Sequence, residues 1–195
     1  PYTSSSSNSM PRSINVSSAS HYQACSHLIN MSHIKLILLD FDGTLADTRI
    51  ANGMAYIQAL SEVGINISIE EYTAKYFGMR CREFLRDVGI ESDDEARKLR
   101  RRKVEIYPNY FDSVRLNAPL WGWCQMMRRG GAKVWIVSTG HIDNITNVMR
   151  HLNIVNGVDG IISGDDVTKP KPHPECFLQA MERVGVSPRE TIIFE

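Results

Sequence analysis

The chain has 195 residues, 43% of them hydrophobic and 23% charged, and its 22 Lys and Arg balance 22 Asp and Glu. This is the usage of a globular protein with an ample core, and a zero net charge excludes a strongly basic nucleic-acid surface and an acidic tail at whole-chain level. Apolar runs such as Leu36-Ile37-Leu38-Leu39 are far short of the ~20 residues that span a membrane, so neither nucleic acid nor membrane is an expected partner.

Residues 1–30 hold ten Ser, no acid, and Arg12 as the only Lys or Arg. Such a segment buries too little apolar surface to offset its ordering entropy, and a disordered tail is expected. Three readings compete. One is a transit peptide, Ser-rich and acid-poor but with a single Arg; another is a native flexible tail. The third, favoured because the chain opens on Pro1 and a natural start lies at Met31, is a segment outside the working protein.

From His33 the pattern alternates. Residues 34–39 predict a buried strand, and 51–63 a helix with Met54, Ile57, Leu60 and Val63 spaced by three. Ser68 with Glu71 reads as a capping box for a helix ending at Gly78. Residues 80–88 predict a short helix stopped at Gly89, and Ser92 with Glu95 caps another reaching Tyr107. A helix after Pro119 stops at Gly130-Gly131. Lys133 to Val137 is a second strand, and Ile142, Ile145, Val148, Met149 and Leu152 mark a helix. Ile161-Ile162 is a short strand, a helix runs from about Pro174 to Gly185, and Thr191 to Phe194 is a fourth strand.

This order predicts an α/β fold, a Rossmann-like parallel sheet with right-handed crossovers. Residues 31–48 and 116–195 form the core, and the all-helical block 49–115 is an inserted cap. A fourth strand placed inside the sheet needs covering on both faces, so its helix is expected beyond residue 195 and the chain reads as a fragment. Cys25, Cys81, Cys124 and Cys176 are scattered, as are the six His, which suits free thiols in a reducing, cytoplasmic setting and gives no zinc spacing. The run Arg97, Lys98, Arg100, Arg101, Arg102, Lys103 follows Glu91, Asp93, Asp94 and Glu95, so it reads as a solvated, dipole-matched helix face. Trp121 and Trp123 read as packing. The motifs carry no signal of oligomeric state.

The strongest chemical signal is Asp40-Phe41-Asp42-Gly43-Thr44-Leu45-Ala46-Asp47-Thr48. A buried strand delivers two carboxylates to its C-terminal end, where parallel sheets bind ligands, and Gly43 permits a tight turn there. Adjacent carboxylates repel unless a cation neutralises them, which implies Mg²⁺. A calcium EF-hand counted from Asp40 would need Gly and Glu where Leu45 and Ala51 stand. Val137-Ser138-Thr139-Gly140 offers a hydroxyl and free amides for a phosphate, though taken alone a helix N-cap is the commoner explanation. Lys169-Pro170-Lys171-Pro172-His173-Pro174 holds a Pro-flanked lysine, or is an exposed loop before a helix. Glu195 ends the fourth strand and could complete a metal site.

Together these residues resemble the haloacid dehalogenase superfamily, from about residue 33 onward, near its phosphoglycolate phosphatase and β-phosphoglucomutase branch. DFDGTLADT is similar to its first motif, Ser138 to its second, Lys171 in KPHPECF to its third, and Glu195 to the start of its fourth. Lys171 is favoured over Lys169 because the KPxPxxF pattern begins there and places Phe177. Dehalogenase members lack the second acid, so Asp42 argues against halide chemistry. The resemblance implies Asp40 as nucleophile and Asp42 as acid and base. It implies Ser138, Thr139 and Lys171 on the phosphoryl group, and Mg²⁺ held by Asp40, the Asp42 carbonyl and Glu195. It implies a small phosphorylated metabolite as substrate, with Arg80 in a cap loop near its anionic part or simply exposed on a helix. A phosphatase is the first expectation, a phosphomutase the second, and a truncated, non-catalytic phosphate binder the third.

Overall fold

A computed structural model describes residues 33–195; the Ser-rich segment, Cys25 and Met31 lie outside the described residues. The chain begins with β1 (Leu36–Leu39), four apolar residues all buried, followed by a two-residue strand β2 (Ala46–Asp47). Helices α1 (Arg49–Ser61), α2 (Ile69–Glu71, continued by a π-turn over Tyr72–Tyr76), α3 (Cys81–Asp87) and α4 (Asp93–Ile106) come next. A 3₁₀ stretch, Tyr107–Ser113, leads into β3 (Arg115–Leu116). Then α5 (Ala118–Arg129), β4 (Lys133–Val137), α6 (Ile142–His151), β5 (Gly160–Ile162), α7 (Glu175–Val184) and β6 (Thr191–Phe194) alternate.

Local chemistry sets many of these boundaries. The Ser68 and Ser92 hydroxyls accept hydrogen bonds from the Glu71 and Glu95 amides, satisfying helix donors that have no intrahelical partner. Gly185 ends α7 with φ +73°, the left-handed conformation that closes a helix at little cost in glycine. The stretch after Ser68 is not one regular helix. It widens into a π-turn before Phe77, and Tyr72 and Tyr76 from that turn are buried.

β1, β4, β5 and β6 form one parallel sheet in the order β5-β4-β1-β6, with Leu39 opposite Ile136 and Phe194. Leu36 and Leu38 face α7 through Cys176, Ala180 and Met181. Ile37 and Leu39 face the other way, into the core shared with α5 and α6. A strand buried on both faces needs apolar residues at every position, which is why β1 shows no alternation. The fourth strand, expected inside the sheet, has β1 on one side only among the described residues.

The helical stretch between β2 and β3 leaves and re-enters the sheet domain through one small antiparallel ladder, Ala46 opposite Leu116 and Asp47 opposite Arg115. Strands of two residues carry no periodicity, so this pairing is invisible in the sequence. Inside the insert Phe84 stands edge-on to Tyr56 and Tyr72, with ring centroids 5.0 and 5.6 Å away.

The basic run on α4 is corrected at one residue. Ala96, Leu99, Lys103 and Ile106 form the buried stripe of the helix, so Lys103 is not on a solvated face and is 1% exposed. Its Nζ lies 3.7 Å from the Tyr107 ring centroid and 5.1 Å from that of Tyr56. Burial drives the ammonium down to about 7, against the pull of Asp42.

The folded value lies below the unfolded 10.5, so the group opposes folding wherever it is charged in the unfolded state. That cost is full below pH 7, shrinks as pH rises towards 10.5, and vanishes above it. Lys103→Met is therefore expected to raise the thermal midpoint by several degrees at pH 6 and by much less at pH 10. Melting curves of both proteins across this range check it; an equal gain at both pH values would contradict a buried, depressed ammonium.

Candidate active site

The C-terminal ends of the four parallel strands share one edge, where ligands gather in such sheets. β1 carries Asp40 and Asp42 there, β4 carries Ser138 and Thr139, the loop after β5 carries Lys171, and β6 ends at Glu195. All six line one cavity of about 640 Å³, together with Tyr56, Arg80 and Arg100 from the insert. That volume suits a metabolite rather than a macromolecule.

Lys171 joins three of these ends. Its Nζ donates to Asp40 Oδ1 at 2.8 Å, to the Val137 carbonyl at 3.0 Å and to Glu195 Oε2 at 3.0 Å, and its side chain is 12% exposed. Burial pushes against the ammonium charge, but the hydrogen bonds it donates to the Asp40 and Glu195 carboxylates outweigh it and hold the lysine above its ordinary value. Lys169 takes no such place: it is exposed, and its backbone amide bonds Glu175.

Gly43, at φ +90°, makes the turn that follows Asp42, and its amide bonds the Ala46 carbonyl at 2.8 Å. Asp42 Oδ1 accepts a short hydrogen bond from the Thr48 hydroxyl, and Thr48 is fully buried at the head of α1. Burial lifts the Asp42 carboxyl above the ordinary aspartate value, against the Thr48 bond and the Lys103 charge, while Asp40 adds to the lift. The two carboxylates thus differ: Asp40 is ion-paired, and Asp42 is held towards its protonated form.

Ser138 is buried and its Oγ accepts from the Gly140 amide at 3.0 Å, leaving its own proton free to donate. It is not a helix cap, since α6 starts after His141. Thr139 is exposed at the cavity wall. The turn rests on Gly164, whose amide bonds the Gly140 carbonyl at 2.9 Å.

The donors beside Asp40 are oxygens, which suits a hard cation. Among the described residues no three His, Cys, Asp or Glu side chains converge into a cage. Mg²⁺ needs none, because it binds through one or two carboxylates and keeps waters and substrate phosphate. Glu195, 53% exposed, turns its carboxylate on Lys171 and still has unshared lone pairs. Thr48, Lys103 and Tyr107 flank Asp42 and were not singled out from the sequence. The three-four spacing of Lys103 with Leu99 and Ile106 was the available signal.

A methyl group on Gly164 would lie 2.3 Å from the Thr139 carbonyl oxygen, a backbone atom that cannot rotate aside. Gly164→Ala is expected to displace the Ser138–Gly140 turn and weaken inorganic phosphate binding at least ~10-fold, with the thermal midpoint falling by several degrees. Phosphate titration and melting of the variant check this.

Among the described residues no helix is long and apolar enough to cross a membrane. The family model for haloacid dehalogenase-like hydrolases matches residues 37–195. The 6-phosphogluconate phosphatase of Escherichia coli (strain K12) is 28% identical over 172 residues, covering 85% of this chain and 75% of the relative. The phosphoglycolate phosphatase of Aquifex aeolicus (strain VF5) is 26% identical over 165 residues, covering 82% and 75%. The crystal structure of CbbY from Rhodobacter sphaeroides in complex with phosphate superposes with a TM-score of 0.73 at 21% identity, covering 82% of this chain and 76% of that one, and shares its fold. With the first motif at the end of β1 and a parallel sheet beneath it, the chain belongs to the haloacid dehalogenase-like hydrolases.

Proposed function

We propose that the chain is a Mg²⁺-dependent phosphatase of a small phosphorylated metabolite, working through an aspartyl-phosphate. The observation that carries the reading is the opposite treatment of two carboxylates on one strand end: Lys171 pairs with Asp40, while burial lifts Asp42 towards its protonated form. A nucleophile and a proton donor need that split.

In this reading Asp40 attacks phosphorus, the bond from phosphorus to the leaving oxygen breaks, and Asp42 gives its proton to that oxygen. Asp42, now a carboxylate, takes a proton from water, which attacks the aspartyl-phosphate and frees inorganic phosphate and Asp40. The Ser138 hydroxyl and the turn at Thr139 hold phosphoryl oxygens, and Lys171 offsets their charge. Asp40, the Asp42 backbone carbonyl and Glu195 would hold Mg²⁺, which would supply positive charge to offset that of the phosphoryl group. The helical insert, residues 49–115, acts as a cap that excludes bulk water and reads the leaving group. The relatives named above are phosphatases, which supports the reaction class. The free thiols Cys81, Cys124 and Cys176 suit a reducing cytoplasm.

Asp40→Asn is expected to lower phosphate release from sugar phosphates by about 10³-fold or more and to abolish acid-stable labelling of the chain by phosphate donors. Chelation by EDTA should stop turnover and added Mg²⁺ should restore it. Phosphate release near the wild-type rate from the Asn variant would overturn the assignment.

A further inference from the structure

Glu175, the first residue of α7, has no part in the chemistry above, yet its carboxylate closes the loop that carries Lys171. Its Oε1 accepts from the Thr168 amide at 2.8 Å and its Oε2 from the Lys169 amide at 2.9 Å, while the Thr168 hydroxyl lies 3.2 Å from Oε1 and 3.1 Å from Oε2. The Thr168 amide first, then the Lys169 amide and the Thr168 hydroxyl, hold the Glu175 carboxyl below its ordinary value, so it is a carboxylate throughout the neutral range. The segment 168–175 is thus cinched at its two ends, with Lys171 between them. Pro170, Pro172 and Pro174 fix the backbone inside it. The His173 amide bonds the Pro170 carbonyl at 2.9 Å, and His173 Nδ1 accepts from the Glu175 amide at 3.2 Å. Thr168, Lys169, Pro172 and His173 are exposed, so burial does little to shape the segment; its prolines and its own hydrogen bonds do.

We infer that Glu175 is a positioning residue for Lys171: by closing the 168–175 loop it delivers the Lys171 ammonium to Asp40 and to the phosphoryl group beside it. For the phosphoryl group the inference rests on the phosphatase reading; for the lysine it rests on the contacts themselves. A lysine side chain is a flexible stem that takes one position only at a cost in rotamer entropy. Asp40, the Val137 carbonyl and Glu195 receive its Nζ within 3.0 Å, but only if its backbone stands within reach of them. Core packing fixes the two flanks. Val167 and Phe177 pack against the apolar cluster of Leu36, Leu38, Val137 and Ile162, which leaves the residues between them to Glu175. The same turn of α7 supplies the Phe177 ring, whose centroid is 5.2 Å from Lys171 Nζ. A side-chain amide at this position would accept at one oxygen only, and one of the two backbone amides would turn to water. A charge held in place in advance stabilises a phosphoryl group more than a mobile one, because nothing has to reorganise during the reaction.

The experiment has two readouts, taken on the wild type, Glu175→Gln and Glu175→Ala well below their melting temperatures. The first is acetylation by acetic anhydride, followed lysine by lysine with mass spectrometry. Lys171 is expected to react at least ~5-fold faster in Glu175→Ala than in the wild type, with Glu175→Gln between them, because a released side chain leaves its carboxylates and meets solvent. Buried Lys103 reports global unfolding and should stay protected in all three proteins. The second readout is the affinity for inorganic phosphate, with turnover of p-nitrophenyl phosphate beside it. Both are expected to fall ~10-fold or more in Glu175→Ala, since a small misplacement of a charged group is costly at a reacting centre. A Lys171 that is equally protected in all three proteins would overturn the inference. So would Lys171 and Lys103 becoming reactive together, which would mark a role in folding alone, and so would a reactive Lys171 with phosphate affinity unchanged. A wild type that neither binds inorganic phosphate nor releases it from p-nitrophenyl phosphate would overturn the phosphatase reading instead, and the contrast between Lys171 and Lys103 would still decide whether Glu175 places the lysine.

Discussion

The site depends on one cation. Lys171 Nζ meets Asp40, the Val137 carbonyl and Glu195 within 3.0 Å, and so ties the ends of β1, β4 and β6 to the loop after β5. Without it, Asp40 and Glu195 would stand together at the edge of a buried sheet with their charges uncompensated. Removing one partner of such a buried pair is strongly destabilising, because the other charge is left without compensation. A segment 131 residues later thus brings in the charge that compensates Asp40 at the end of β1. The same contact leaves a positive charge beside the place where phosphoryl oxygens would lie, so stability and chemistry share one interaction.

Asp42 answers to a different set of groups. It lies two residues along the chain from Asp40, beyond reach of the Lys171 hydrogen bonds, and receives the Thr48 hydroxyl. Thr48 is where the insert begins, and Lys103 and Tyr107 approach from where it ends. Burial raises the second acid, and Thr48 and Lys103 from the helical insert pull against that rise, whereas the first acid is paired within the sheet domain. An insert that moves on its short β2–β3 ladder would carry Thr48 and Lys103 with it, changing the environment of Asp42 and the shape of the cavity together.

Much of this was legible along the chain. The strand before Asp40, the strand before Ser138, the caps at Ser68 and Ser92 and the stop at Gly185 follow from apolar runs and local hydrogen bonding, and the structure has them within a residue or two. Asp40, Asp42, Ser138 and Lys171 were legible because each belongs to a short motif beside a recognisable strand or helix. Lys103 was misread because six cations in one run suggest water on every side. Only the spacing of Ala96, Leu99 and Ile106 shows that one of them points inward. The π-turn at Tyr72–Tyr76 and the β2–β3 ladder left no trace, since neither is long enough to have a period.

By itself the sequence determined the parallel α/β arrangement and the identity of the acids at the end of β1. Hydrophobic runs, caps and turn glycines act over a few residues and need no distant partner. Only the tertiary structure decided that Lys171 meets the Val137 carbonyl and Glu195 as well as Asp40. It alone set the protonation of Asp42 apart. Those outcomes depend on burial and on contacts between segments far apart in the chain, and a charge takes its energy from what surrounds it, not from its neighbours in sequence.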